Sequence, residues 1–293
     1  MANLKEVRNR IASVSSTQQI TKAMKMVSAA KLKRATDSIV QLRPYAEKLK
    51  EILGNLSSSI EGNASPFLEI RAPKNVLVVL VSSNKGLAGA FNANAIKGAA
   101  RLIAEKYPKQ AEKGKVSILA IGKKGHDHYQ RAGYTLVGEH HDLYSHLDFE
   151  HVSELTQTIM DAFVKGVYDR VEVVYTQFKN AAVQFLRTEQ LLPVQAEENA
   201  SQTPVEIDYI MEPSKAEIVR ELIPKSVKIQ LYKAVLDSHA SEHGARMTAM
   251  DKATDNAGEL LKELRLSYNQ ARQAAITTEL TEIVSGAAAL SQA

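Results

Sequence analysis

The sequence predicts an α/β protein in which a long antiparallel coiled coil, built from helices at the two chain ends, frames a central α/β domain. Three patterns predict it. Apolar residues recur at 3,4 spacing through residues 3–59. A proline-free helical pattern fills residues 225–293. Between them, short β-type runs alternate with helical ones.

In the N-terminal helix, Leu4, Val7, Ile11 and Val14 have the spacing of a narrow seam for one partner helix. Ile39, Leu42, Ala46, Leu49, Leu53, Leu56 and Ile60 repeat it. Between these runs the seam thins to Ile20, Ala23, Met24, Val27 and Ala30. Pro44 predicts a kink or break near Arg43, because proline lacks an N–H and crowds the preceding turn. At the other end, Met250, Ala253, Ala257, Leu261, Leu264, Tyr268, Ala271 and Ala275 form a second seam. About 65 helical residues span roughly 100 Å, about twice the width of a compact domain of this size. Such a helix needs another long helix beside it or another protein around it, and the N-terminal helix is the expected neighbour.

The central region predicts a Rossmann-like α/β domain. Val76–Ser82 is a continuous apolar run, as in a strand buried on both faces. Helix is expected over Asn92–Tyr107 and Glu150–Val167. Strands are expected at Val116–Ile121, Tyr134–Val137, Val171–Phe178 and Val183–Thr188. The expected division is residues 1–60 as the first coiled-coil helix, 74–193 as the α/β domain, 194–214 as an acidic connector and 215–293 as the second coiled-coil helix.

Composition narrows the function classes. The chain has 293 residues, of which only 5% are aromatic and none is Trp, which suits thin helices with little interior to fill. With no cysteine there is no disulfide, thiolate metal site or thiol switch. Met1–Arg10 is too polar for a signal peptide. No run approaches the roughly 18 apolar residues of a membrane span. Residues 1–50 hold eleven Lys or Arg against three acids, whereas Val194–Ser214 holds five acids and no base.

Several motifs invite chemistry. SSNKGLAGAFN (Ser82–Asn92) lies where doubly wound folds bind phosphate. It has only Gly86 and Gly89, matches neither GxGxxG nor a P-loop, and reads as a tight turn that needs glycine. Six histidines (His126, His128, His140, His141, His146 and His151) cluster without metal-ligand spacing and read as exposed surface. Ser238, His239 and Glu242 share one helix, whereas a nucleophile needs its base held from another element. No catalytic, cofactor or metal site is expected. The basic run Lys22, Lys25, Lys31, Lys33 and Arg34 fits a solvated face, nucleic-acid phosphate or an acidic protein loop. The absence of aromatics before Arg43 counts against nucleic acid.

Both chain ends carry a more specific signal. IASVSSTQQITKAMKMVSAAKLKRA (Ile11–Ala35), ASEHGARMTAMDKATDNAGELLKEL (Ala240–Leu264) and SYNQARQAAITTELTEIVSGAAAL (Ser267–Leu290) resemble the terminal helices of the gamma subunits of F-type ATP synthases. The last stretch contains that family's ITxExxE signature followed by GA, at Ile276, Thr277, Glu279, Glu282, Gly286 and Ala287. GLAGAFN resembles the family's first βα loop, although Asn84, Lys85 and Ala88 stand where Asp, Arg and a frequent Cys are usual.

The resemblance implies a non-catalytic rotor shaft. It would turn inside a hexamer of alpha and beta subunits and stand on the epsilon subunit and the membrane ring of subunit c. Proton flow would thereby be coupled to ATP synthesis or hydrolysis at the beta subunits, and ATPase activity regulated. Carried over by motif, Met24, Lys25 and the basic residues beyond face an acidic loop of the beta subunit. Arg272, Gln273, Thr277 and Glu279 touch the catalytic subunits, and Tyr209 lies near the foot. With neither a chloroplast-type insertion nor a transit peptide, the expected setting is the cytoplasmic face of a bacterial inner membrane, with the chain peripheral to it. The rival readings are a Rossmann-like enzyme with helical dimerisation arms and a coiled-coil nucleic-acid binder.

Overall fold

A computed structural model describes residues 4–57, 65–145, 147–194 and 215–291. Helix α1 spans Leu4–Ser57. Strand β1 (Val76–Val81), helices α2 (Phe91–Lys106) and α3 (Pro108–Glu112) and strand β2 (Val116–Ile121) follow. Helix α4 (Lys123–Arg131), strand β3 (Thr135–Leu136) and helix α5 (Phe149–Val164) come next. Strands β4 (Arg170–Phe178) and β5 (Gln184–Leu192) lead to helix α6 (Lys215–Ser291). The connector 195–214 and Tyr209 within it lie outside the described residues, as does His146.

One feature differs from expectation. Helix α1 runs through Pro44 without a break. Ile39 and Leu49, on either side of the proline, are both buried, so packing holds the helical path against a proline cost of about 3 kcal/mol. Helix α6 likewise starts before Pro224 and passes through it, with the adjacent Ile223 buried.

The chain divides into two compact units, residues 29–246 and residues 1–28 with 247–293. The first holds a five-stranded sheet of order β3-β2-β1-β4-β5. Strands β1, β2, β3 and β4 pair in parallel, and β5 closes one edge antiparallel to β4. All six residues of β1 are buried, as its unbroken apolar run requires of a central parallel strand. Leu77, Val79 and Val81 face Val152, Ile159 and Phe163 of α5 and Val227, Leu231 and Val235 of α6. Val76, Val78 and Leu80 face Ala95, Ala99 and Ile103 of α2 and Tyr129 of α4. Helix α5 starts at an Asp148 side chain that accepts from the His151 N–H at 2.9 Å.

In the other unit, the two ends of the chain run antiparallel. Arg8 donates to the Tyr268 hydroxyl (2.8 Å), Gln18 to the Thr254 carbonyl (3.4 Å), and Lys25 pairs with Asp251. Rising numbers on one helix thus meet falling numbers on the other. Val7, Thr21 and Ser28 are buried on α1, as are Met250, Ala257 and Leu261 on α6.

Candidate functional site

Two regions concentrate polar groups in unusual positions. The first lies at the carboxyl ends of β1 and β4. The connection leaving β1 carries α2 over one face of the sheet, and the connection entering β4 carries α5 over the other. The strand order therefore reverses between β1 and β4, the place where open α/β sheets form a ligand crevice. Here α6 lies in it. Pairing of β4 with β1 ends at Val174 opposite Leu80, which leaves Thr176 without a strand neighbour on that edge. Two serines of α6 take the strand's place. Ser238 Oγ accepts from the Thr176 N–H at 3.0 Å, and Ser241 Oγ donates to the Thr176 carbonyl at 3.0 Å. Two residues on, Arg43 of α1 donates to the Phe178 carbonyl at 3.1 Å.

The β1–α2 loop meets the same helix with inverted polarity. A phosphate-binding loop turns N–H groups to its ligand. Here the carbonyls of Lys85 and Gly86 accept from the Arg246 guanidinium at 3.2 and 3.1 Å. Arg246 is buried and also pairs with Glu242 at 2.7 Å. The loop adopts positive φ at Leu87 and Gly89 but not at Gly86. Leu87 at φ 60 holds an exposed apolar side chain in a conformation that costs an L-residue about 1–2 kcal/mol. Tyr144 donates to the Ser82 carbonyl at 2.8 Å and stacks on His239.

Burial tunes the charges along this stretch of α6. Asp237 is fully buried, 3.7 Å from Arg43. Desolvation pushes it up to about 6 against the pull of Arg43 and Lys233. His239 and His243 face each other, Nε2 to Nε2, at 3.1 Å. Burial, helped by Arg246 and Lys31, lowers them to about 4 and about 3. Ser238, His239 and Glu242 thus have structural partners, and the Ser238 oxygen is spent on a main-chain N–H. No group of three metal-ligating side chains occurs among the described residues.

The second region is the paired helices. The α1 seam continues past Val14 through Gln18, Thr21, Lys25 and Ser28, which are half-buried or buried. Ile20 (57% exposed) and Val27 (58%) point away from it, and only Met24 of the expected thin seam is half-buried. The reason is register. Val7, Ile11 and Val14 at one end and Leu32, Ala35 and Ile39 at the other keep one heptad frame, and polar residues fill it between. Lys22, Lys33 and Arg34 are exposed. Lys25 is tied to Asp251 of α6, so it is not a free cation. Lys31 lies near enough to influence His239, Glu242 and His243. Arg272, Gln273, Thr277 and Glu279 are all exposed, and the Thr277 hydroxyl donates to the Gln273 carbonyl at 2.9 Å. Beside them Ile276, Leu280, Ile283 and Val284 form an exposed apolar stripe at helical spacing, 49% to 67% accessible.

Motif reading missed Asp237, Ser241, Arg246 and Arg43. The available signal was DSHASEHGAR, a helical run with polar residues on every face although it follows the apolar seam of Val227, Leu231 and Val235.

Comparison with known proteins sets this geometry in context. A family model described as ATP synthase matches residues 3–290. The ATP synthase gamma chain of Cytophaga hutchinsonii is 56% identical, covering 99% of each chain. That of Chlorobium phaeobacteroides is 49% identical with the same coverage. Among solved structures, the Tetrahymena thermophila mitochondrial ATP synthase central stalk and c-ring contains a chain 26% identical. The match covers 80% of this chain and 99% of that one, with a TM-score of 0.57. A chain of the Euglena gracilis mitochondrial ATP synthase shares the fold at 20% identity, covering 98% and 94%, with a TM-score of 0.67.

Proposed function

The chain belongs to the ATP synthase gamma chain family, and on that premise we propose that it is the central rotor shaft of a bacterial F-type ATP synthase. The observation that carries the reading is the exposed stripe of Ile276, Leu280, Ile283 and Val284 on a helix whose preceding turns are seamed to α1. An exposed apolar stripe on a helix needs a covering partner, and the alpha and beta subunits supply a sleeve. Residues 74–193 form the foot, beside the epsilon subunit and the ring of subunit c.

As the shaft turns, its unequal sides press the three beta subunits into different conformations in succession. Proton flow and ATP chemistry are thereby coupled, and the chain itself performs no catalysis. Lys22, Met24, Lys33 and Arg34 face acidic loops of the beta subunits, with Lys25 and Lys31 at the edge of that surface. Arg272, Gln273, Thr277 and Glu279 contact the sleeve, and Tyr209 belongs to the foot. The chain is held peripherally at the cytoplasmic face of the membrane, in keeping with the lack of a described helix long and apolar enough to cross it.

The test is complementation. In a bacterium lacking its own gamma chain, this protein should co-purify with the nucleotide-binding subunits and restore ATP-driven proton pumping, whereas the purified chain alone should hydrolyse no ATP. Hydrolysis by the isolated chain, or no association with those subunits, overturns the reading.

A further inference from the structure

The crevice between β1 and β4 is where a doubly wound fold receives its ligand, and in this protein it receives the protein's own helix. Apolar contact alone gives such a seat little directional hold. Val227, Leu231 and Val235 pack on the sheet, but burial of apolar area is non-directional, and a helix lying in an apolar groove slides or rolls at modest cost. Hydrogen bonds to a strand edge are different, because each fixes both a position along the helix and a rotation about it. Ser238 and Ser241 make one bond each to the two main-chain groups of a single residue, Thr176, one accepting and one donating. Both serines are fully buried, so water cannot substitute for either bond.

We propose that Ser238 and Ser241 form a key that locks α6 into the sheet at Thr176 and transmits torque between the foot and the helix. They act as positioning residues for rotary coupling and touch no nucleotide. The inference rests on the shaft reading above. Arg246 on Lys85 and Gly86, and Arg43 on Phe178, brace the same joint from either side. A roll of one residue about the helix axis, about 100°, breaks both serine bonds at once. A shaft that has to turn its partners while its foot is driven needs that roll prevented, and the buried pair prevents it without a charge to desolvate.

The experiment uses the whole synthase in membrane vesicles. Alanine suits a helix interior, so Ser238→Ala with Ser241→Ala removes two hydroxyls while leaving the helix intact. The expected result is an assembled complex that hydrolyses ATP but pumps fewer protons per ATP. Thr156→Ala in α5 is the control, since it removes an equally buried hydroxyl bonded only within its own helix. It should leave the pumping ratio unchanged. Should the double variant fail to assemble, the single variants replace it. Each then keeps one bond to Thr176 and should show a smaller loss of ratio. An unchanged ratio in the assembled variants, or an equal loss in the Thr156→Ala control, overturns the proposal. Failure of the unmodified chain to support pumping at all strikes the shaft reading instead.

Discussion

Gly122 shows how tightly the residues behind the crevice are specified. Its φ is +100, and a Cβ there would stand 2.1 Å from the Ser82 carbonyl oxygen, a rigid main-chain atom. Gly122→Ala should cost about 3 kcal/mol or more in urea unfolding, from clash and strain together. Gly133→Ala, at φ +78 with nothing within 4 Å, should cost only about 1–2 kcal/mol. Equal costs would show that conformation alone matters. The buried titrating groups set a second expectation. His239 and His243 have folded values below the usual 6.5, so the unfolded chain binds more protons below that pH. Their contribution to stability is complete above about 6.5 and is lost as pH falls toward 4 and 3. Asp237, raised to about 6, works the other way and recovers stability between about 6 and 3.8. Each tenfold change in a proton affinity is worth about 1.4 kcal/mol. The histidine contribution should therefore fall by a few kcal/mol between about pH 7 and pH 4, opposed by Asp237 and by Glu242, which burial also raises. Replacing both histidines with glutamine should remove that fall from urea midpoints measured across that range. An unchanged slope in the double variant would remove the histidines from the account.

Among the elements, the polar stretch of the α1 seam is the least expected. Thr254 donates to Thr21 across the helix pair at 2.8 Å, flanked by Gln18 and the Lys25–Asp251 pair. Polar seam positions fix register and cost stability. Thr21→Val with Thr254→Val removes both partners with little change of shape, so it should be neutral or stabilising by up to about 1 kcal/mol in thermal unfolding. A loss of more than that would mean the hydroxyl pair holds the helices together. Lys25 and Asp251 are each close to half exposed, so Lys25→Ala should cost less than about 1 kcal/mol. This stretch also shows where the sequence was legible. Val7, Ile11 and Val14 gave the frame, because apolar spacing reports burial directly. Ile20 and Val27 misled, because an apolar residue on the outer face reads like a seam residue until the partner helix is placed. Strand β1 was plain from VLVVLV. The key was not, because Ser238 and Thr176 are 62 residues apart and only the sheet order brings them together.

For the whole molecule, a rotor subunit has to be stable by itself in one part and completed by its partners in another. The sheet domain meets the first need, with its central strands β1, β2 and β4 largely buried on both faces. The end of α6 meets the second. Between Arg8 and Tyr268 the two helices are still joined by a hydrogen bond. From Ile276 to Ala288 every described residue is exposed, including four large aliphatic ones. A single helical stretch of that length is marginal in water, because most helical stability in proteins comes from packing an amphipathic face. Thr277, Thr278 and Thr281 donate to carbonyls four residues back, a local bond that adds little to helix stability. In the free chain, amides from Ile276 onward should therefore exchange with solvent far faster than those of Met250 to Leu264, whose seam is closed by α1. If, as proposed, the sleeve of the assembled synthase covers the stripe, the same amides should become protected there while those of the seam change little. Hydrogen exchange followed by mass spectrometry on the free chain and on the complex reads both states. Protection of the tip that is already complete in the free chain would mean that the helix needs no sleeve, and the exposed stripe would then lose its meaning as a bearing surface.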